Sequence, residues 1–475
     1  MNINLKELTI EKAHADMKSG VYTPTDLANA YLSVIAEKNA DINAYLEVYG
    51  DVLDQAKRAE EMFANGTATM MTGIPVSLKD NMLRTGFIAS ASSKMLENYK
   101  ATYDATVVAL LKNAGAVFIG RTNMDEFAMG SSTETSAFGN TKNPLDTSRV
   151  PGGSSGGAVS SVAMDGALCA LGSDTGGSIR QPAAFTNLVG LKPTYGAVSR
   201  YGIISMGSSL DQVGPITKTV SESEIIFNTI NAFDKNDGTS MPVESRAKSS
   251  SLKKKIGIPR EFLKGDGIDS SVLENFEQSC AKLKNAGYEL VNVELPMLKY
   301  SLPVYYVLMP AEVSSNLARY DGIRYGHHEN GGKLLDIYMK SRGTGFGKEV
   351  RRRIILGTYI LSHGYYDAYY NSAVTVRNAI QNELENIFKE VDAIITPTSP
   401  FPPFQFGAKS KDPVSMYMSD IFLAPANIAG VPAISIPAGK TADNLPLGLH
   451  MMSDFHREDI LFTIGKDFER EVLSR

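Results

Sequence analysis

The chain has 475 residues, of which 43% are hydrophobic and 21% charged, and its formal net charge is −5. This composition is typical of a globular protein with a large core, and the negative charge argues against nucleic-acid binding as its main role. Two widely spaced cysteines, Cys169 and Cys280, predict buried thiols and no metal centre. The sequence has no apolar run of ~18–20 residues and no leader pattern, so we expect a cytoplasmic protein without a membrane span.

Residues 1–65 are predicted to form an N-terminal helical arm. Thr23 supplies a capping hydroxyl, Pro24 suits the first turn, and Asp26 places an acid near the positive end of the helix dipole. Apolar residues then recur at helical spacing as far as Ile35. The pattern indicates a helix that packs one face against the rest of the chain.

From about Gly73 the pattern changes to short apolar strands that alternate with helices. This alternation predicts an α/β fold in which both faces of the sheet are covered. We expect residues 66–475 to form the core of a single domain that spans 1–475, with the polar segment 235–255 as a surface loop. Strands are predicted at about 74–78, 116–120, 168–172, 256–259, 289–293, 393–396 and 433–436. Helices are predicted at 106–114 and 271–286, across most of 300–390, and from about 458.

Two loops rich in glycine and serine stand out, at residues 152–157 and 172–180. The apolar stretch between them has room for a helix and a strand, which would return the second loop to the first. Glycines let backbone N–H groups approach a ligand closely. The consecutive N–H groups of Thr175, Gly176 and Gly177 therefore suit a developing oxyanion.

Three chemistries compete for these loops. Phosphate binding is disfavoured because neither loop has the GxxxxGK[ST] or GxGxxG form. Residues 152–156 match the GxSxG elbow of α/β-hydrolases, but that elbow follows a buried strand, whereas 143–151 is predicted to be a loop. Such an elbow needs a histidine as its partner, but none of the six histidines lies in a recognisable motif. The third possibility is a Ser–Lys mechanism.

Three sequence blocks resemble those of a known family. Lys79 lies in PVSLKDN, Ser154 in PGGSSGG, and Ser178 in GSDTGGSIRQPA. In this order the blocks are typical of the amidase signature family, and the resemblance covers nearly the whole chain. It implies the amidase signature fold, a large mixed β-sheet covered by helices on both faces.

The resemblance also implies a role for each member of this Ser–Ser–Lys triad. Ser178 is the nucleophile that forms an ester, Ser154 relays a proton, Lys79 is the base, and the Gly153–Ser154 peptide bond is cis. A lysine accepts a proton only when it is neutral. We therefore expect burial or nearby cations to lower the pKa of Lys79 from ~10.4 by about 2–3.

Longer segments, at 123–144, 190–215, 314–326 and 345–370, resemble one branch of the family, the glutamine-hydrolysing subunits of tRNA-dependent amidotransferases. This branch implies that Arg353 holds the α-carboxylate of glutamine, Asp420 holds its α-amino group, and Tyr305 lines the pocket. Arg351 and Arg352 adjoin Arg353, and Tyr306 adjoins Tyr305, so the choice within each run stays open.

The branch further implies partners. The ammonia would pass to a partner subunit in a heterotrimer with subunits B and C, and that partner would amidate Glu-tRNA(Gln) or Asp-tRNA(Asn). ATP and Mg are expected in the partner, tRNA is expected to bind mainly there, and this chain is expected to need no cofactor.

Two other functions remain. A stand-alone amidase of the same family, acting on a small amide, would use an identical triad, so only the downstream segments separate it from the amidotransferase branch. A non-catalytic assembly subunit with a relict site would be indicated by a lost triad residue, but all three are present.

Overall fold

A computed structural model of the chain describes residues 3–242, 252–265, 267–409 and 413–473. Within these ranges, eleven strands join into one sheet. The strands are β1 (Tyr45–Val48), β2 (Pro75–Lys79), β3 (Val117–Thr122), β4 (Cys169–Asp174), β5 (Val189–Lys192), β6 (Gln212–Thr217), β7 (Lys255–Ile258), β8 (Glu289–Asn292), β9 (Ala393–Pro397), β10 (Ala433–Lys440) and β11 (Pro446–Ser453).

Helices connect and cover these strands. They are α1 (Ile10–Lys18), α2 (Pro24–Ile42), α3 (Val52–Ala64), α4 (Thr106–Asn113), α5 (Gly156–Ala163), α6 (Arg180–Phe185), α7 (Val220–Ile230), α8 (Ser270–Asn285), α9 (Ser301–Asn316), α10 (Leu334–Gly345), α11 (Lys348–Ile360), α12 (Ser372–Ile387), α13 (Pro413–Tyr417), α14 (Ala424–Ala429) and α15 (Glu458–Leu473).

The sheet is mixed, with strand order β1-β3-β2-β4-β6-β5-β10-β11-β9-β7-β8. The pairs β2–β3, β2–β4, β7–β8 and β7–β9 are parallel, and the other pairs are antiparallel. Successive residues of a strand point to opposite faces. Because every residue of β2, β3, β4, β5, β6 and β9 is buried, both faces of the sheet are covered there. The predicted α/β class and mixed sheet are confirmed.

The N-terminal 65 residues hold α1 to α3, and they also contribute β1 to the sheet. The expectation of helices alone was therefore wrong for residues 45–48, because four residues give too short a pattern to identify a strand. Helix α2 begins as predicted: Thr23 accepts a hydrogen bond from the Asp26 N–H, and the Asp26 carboxylate accepts from the Thr23 N–H. Tyr31 and Ile35 of α2 pack into the same hydrophobic core as the sheet.

Other predictions have mixed outcomes. Cys169 and Cys280 are buried free thiols, as expected. The predicted surface loop 235–255 lies in part outside the described residues, since the structure describes nothing from 243 to 251. None of the described helices is long and apolar enough to cross a membrane.

Candidate active site

The candidate site lies where three parallel strands end. Strands β3, β2 and β4 run side by side, so their carboxyl ends share one edge of the sheet. Lys79 is the last residue of β2, and Asp174 is the last residue of β4. Just beyond β3, the Asp125 N–H donates to the Ser154 carbonyl at 3.2 Å. The register of the sheet thus brings together segments nearly a hundred residues apart.

The ammonium group of Lys79 is fully buried. Its Nζ lies 2.8 Å from Ser154 Oγ, 2.9 Å from Ser155 Oγ and 3.1 Å from the Ser173 carbonyl oxygen. Burial lowers the pKa of Lys79 to about 7, although Asp125 and other carboxylates favour its charged form. A substantial fraction of Lys79 is therefore neutral near pH 7, as a base requires.

The two glycine- and serine-rich loops meet beside Lys79. The Ser155 N–H donates to the Ser178 carbonyl at 3.2 Å, and the peptide bond between Gly153 and Ser154 is cis. Ser178 is 8% exposed, whereas Lys79 and Ser154 have no exposed surface. Ser178 Oγ makes no hydrogen bond to any residue that the structure describes. The structure brings Lys79 and Ser154 into contact, whereas the Ser178 hydroxyl makes no hydrogen bond to Ser154.

A buried ion pair anchors the second loop. Arg180 Nε and Nη2 each donate to the Asp174 carboxylate at 3.0 Å, and neither side chain is exposed. Burial favours the neutral form of Asp174, but the Arg180 guanidinium outweighs it and holds the pKa of Asp174 well below its ordinary value. Asp174 also accepts the N–H groups of Gly177, at 2.9 Å, and Ile179, at 3.2 Å. It therefore fixes the backbone on both sides of Ser178.

These contacts bear on the predicted oxyanion donors. The Gly177 N–H already donates to Asp174, so it is less available than expected. The N–H groups of Thr175 and Gly176 make no hydrogen bond to the part of the chain that the structure describes. Gly177 has a φ of +132°, a conformation that favours glycine. A Cβ at Gly176 would lie 2.5 Å from Tyr305 Cζ, so only glycine fits beneath that ring.

The predicted glutamine-binding residues lie on the same side of the loop. Arg353 is 5% exposed, whereas Arg351 is exposed, which favours Arg353 as the buried member of its run. Asp420 accepts hydrogen bonds from Tyr306 Oη at 2.9 Å and Ser131 Oγ at 3.3 Å. Burial raises the pKa of Asp420 to about 7. A cation and an acid are thus both held out of water here.

A cavity of about 300 Å³ adjoins Arg353 and Ser131. Arg353, Ser131 and Tyr417 line it, together with Glu349 and Arg352. Ser131 connects the cavity to the loops, because its carbonyl accepts from Gln181 Nε2 at 3.1 Å while Gln181 Oε1 accepts the Gly153 N–H at 3.0 Å. The Gln181 side chain therefore connects the cavity wall to the first serine loop by hydrogen bonds.

Several residues at the site were not identified from the sequence. Asp125 accepts the N–H groups of Ser132 and Thr133, at 3.3 and 2.9 Å, and so holds the loop against Gly153. The only sequence signal for Asp125 is that it lies in 123–144, one of the longer segments that resemble the family. Glu349 and Tyr417 lie far apart in sequence and meet only in the fold. Tyr417 stacks there on Tyr306, the alternative that the sequence left open beside Tyr305. Within the described residues, no three histidine, cysteine, aspartate or glutamate side chains are placed to hold a metal ion.

Comparison with known proteins shows the family of the chain. The Amidase family model matches residues 26–462. The A subunit of the glutamyl-tRNA(Gln) amidotransferase of Thermoanaerobacter pseudethanolicus is 48% identical, over 98% of this chain and 97% of its own. The crystal structure of the Thermotoga maritima protein of the same name has a TM-score of 0.80 at 39% identity, covering 99% of this chain and 96% of its own. Peptide amidase from Stenotrophomonas maltophilia has a TM-score of 0.80 at 27% identity, covering 98% and 97%. The chain belongs to the amidase family.

Proposed function

We propose that the chain is the glutaminase subunit of a tRNA-dependent amidotransferase. The observation that carries this proposal is the pair of buried opposite charges, Arg353 and Asp420, beside the loop of Ser178. An α-amino acid needs both of its charges met: a guanidinium suits the carboxylate, and a carboxylate suits the ammonium. A simple amide needs neither.

The chemistry proposed for the triad combines the contact of Lys79 with Ser154 and the roles that the family resemblance implies for Ser154 and Ser178. Neutral Lys79 accepts a proton from Ser154, which in turn takes the proton of Ser178. The Ser178 oxygen attacks the side-chain amide of glutamine, and the backbone N–H groups of Thr175 and Gly176 stabilise the oxyanion, each worth ~3 kcal/mol of barrier. The proton returns to the departing ammonia, and water then hydrolyses the glutamyl ester on Ser178.

A charged Lys79 has three N–H donors, and the structure supplies three acceptors for them. In the neutral state one position becomes an acceptor, and the Ser154 hydroxyl can donate to it. Ser154 is suited to the relay because a hydroxyl both donates and accepts. The buried setting keeps competing water away from this exchange.

We further propose that the ammonia is passed on within a complex. The name of the Thermoanaerobacter relative denotes one component of a larger enzyme, which supports assembly of this chain with other subunits. By the family resemblance, these would be subunits B and C. ATP and Mg would be bound by the partner, which would also hold most of the tRNA and amidate Glu-tRNA(Gln) or Asp-tRNA(Asn). Such a reaction would take place in the cytoplasm, where aminoacyl-tRNA is used.

The proposal is tested by ammonia release from glutamine. Wild-type protein and Ser178→Ala are each co-purified with the partner subunits of their source. We expect release that disappears in the variant and that prefers glutamine over an uncharged amide such as butyramide. Release from butyramide but not from glutamine would favour the alternative, a stand-alone amidase, which the structural similarity to peptide amidase also supports.

A further inference from the structure

Two tyrosines from distant segments stack beside the candidate pocket. Tyr306 lies on α9 and Tyr417 ends α13, and their ring centroids are 3.9 Å apart with an interplanar angle of 26°. The Arg353 guanidinium lies 5.8 Å from the Tyr306 ring centroid and 5.7 Å from that of Tyr417. Both aromatic rings therefore limit the position of the Arg353 guanidinium.

Each tyrosine hydroxyl donates a hydrogen bond to a different carboxylate. Tyr306 Oη donates to Asp420 Oδ2 at 2.9 Å. Tyr417 Oη donates to Glu349 Oε1 at 3.3 Å, and the same oxygen accepts from Arg353 Nε at 2.8 Å. Burial raises the pKa of both tyrosines, so both hydroxyls stay protonated and can donate.

Glu349 is the link between the stack and the cation. It lies one helical turn before Arg353 on α11, and it binds the Nε side of the guanidinium. Among the residues that the structure describes, the only hydrogen-bond partner of Arg353 Nη1 is a sulfur, Met309 Sδ, at 3.5 Å. Clamping Nε fixes the plane of the guanidinium and leaves its other edge for a carboxylate. Glu349 itself is 14% exposed in its side chain, so the clamp is largely shielded from solvent.

We propose that the Tyr306–Tyr417 stack is a spacer that sets the separation between Arg353 and Asp420, and so selects amides that carry an α-amino acid. The inference rests on the proposed function. Its chain of contacts runs from Asp420 through Tyr306 and Tyr417 to Glu349 and Arg353. Tyr306, Tyr417 and Glu349 are positioning residues, since they act on substrate through the two charged groups.

The proposed spacer predicts separate effects on recognition of the substrate's amine and of its carboxylate. Tyr306→Phe removes only the hydroxyl that holds Asp420, so it should weaken recognition of the amine. Tyr417→Phe removes only the hydroxyl that holds Glu349, so it should weaken recognition of the carboxylate. Tyr417→Ala removes the stack, so it should weaken both. A merely structural role would lower activity on every amide alike.

The test uses four amides with the co-purified complex: glutamine, glutaramate, which lacks the amine, 4-aminobutanamide, which lacks the carboxylate, and butyramide, which lacks both. We expect Tyr306→Phe to reduce the preference in kcat/KM for glutamine over glutaramate by about tenfold, the effect of one hydrogen bond to a charged group. Tyr417→Phe should reduce the preference for glutamine over 4-aminobutanamide instead. Tyr417→Ala should reduce both, mainly through KM, with little change for butyramide.

Two outcomes would overturn the inference, and they are distinguishable. If wild type prefers glutamine but Tyr417→Ala keeps both preferences, or loses activity equally on all four amides, the spacer is wrong and the proposed function stands. If wild type shows no preference for glutamine over butyramide, the proposed function falls and the spacer falls with it. Tyr300→Ala, at an exposed tyrosine just before α9, is the matched control and should behave as wild type.

Discussion

Arg180 and Asp174 form a doubly hydrogen-bonded ion pair with no exposed surface, and they flank Ser178 on either side in the sequence. Removing one partner of such a pair leaves an uncompensated charge in the interior, which costs about 3–5 kcal/mol. We expect Asp174→Ala to lower the free energy of unfolding by that amount, measured from the midpoint of urea unfolding. The exposed pair Arg260–Glu277 gives the control: Glu277→Ala should cost less than ~1 kcal/mol. Equal effects of the two variants would contradict the anchoring role of Asp174.

The proton relay predicts a specific loss at Ser154. Ser154→Ala removes the hydroxyl that Lys79 contacts at 2.8 Å, so general-base assistance to Ser178 is lost. We expect ammonia release from glutamine to fall by about 10²–10⁴-fold, the usual contribution of a positioned base. Ser33→Ala, on the exposed face of α2, should retain full activity. Unchanged release in Ser154→Ala would remove the relay.

The pH dependence should differ between substrates. Burial lowers the pKa of Lys79 to about 7, and only its neutral form acts as base, so kcat/KM for butyramide should rise about tenfold per pH unit below 7 and then level off. Burial raises the pKa of Asp420 to about 7, and only its ionised form attracts an ammonium. Glutamine needs both deprotonations, so its profile should be steeper, up to about 100-fold per unit.

Asp420→Asn isolates the second ionisation. It should reduce the slope for glutamine to that for butyramide, and leave the butyramide profile unchanged. Equal slopes for the two substrates in wild-type protein would show that Asp420 does not titrate with binding.

Arg353 and its neighbour Arg351 are predicted to differ in their effect on glutamine binding. Arg353→Ala should raise KM for glutamine by about 10–150-fold, because a hydrogen bond to a charged group contributes about 1.5–3 kcal/mol. Hydrolysis of butyramide should change little. Arg351 is exposed and is the matched control: Arg351→Ala should leave both substrates unaffected. Equal losses for glutamine and butyramide would exclude Arg353 from carboxylate binding.

Much of the sheet could be predicted where a strand is a continuous apolar run. The residues of β2, β3 and β9 are examples, and their predicted limits differ from the observed ones by at most two residues. Strands β6 and β11 were missed for a physical reason. Gly214 and Pro215 interrupt β6, and His450 lies within β11, so the local pattern argues against strands that the neighbouring strands nevertheless impose.

The site shows a similar division. Lys79, Ser154 and Ser178 could be proposed because each lies in a distinctive local motif. The engagement of the Gly177 N–H by Asp174 could not be foreseen, since it depends on how a carboxylate folds back onto its own loop. The stack of Tyr306 on Tyr417 joins residues more than a hundred positions apart, with no local pattern to reveal it. Contacts of this kind follow from the fold and not from any motif.

Strand β1 also has a consequence for the association of this chain with itself. Strand β3 is buried along its whole length, and β1 covers its outer side with a short antiparallel pairing. The opposite margin, β8, is equally short and carries exposed polar residues such as Glu289. Very short edge strands discourage two sheets from pairing edge to edge. Deleting residues 1–65 would uncover a longer apolar strand with unpaired backbone groups, so the truncated protein should aggregate rather than persist as a smaller enzyme.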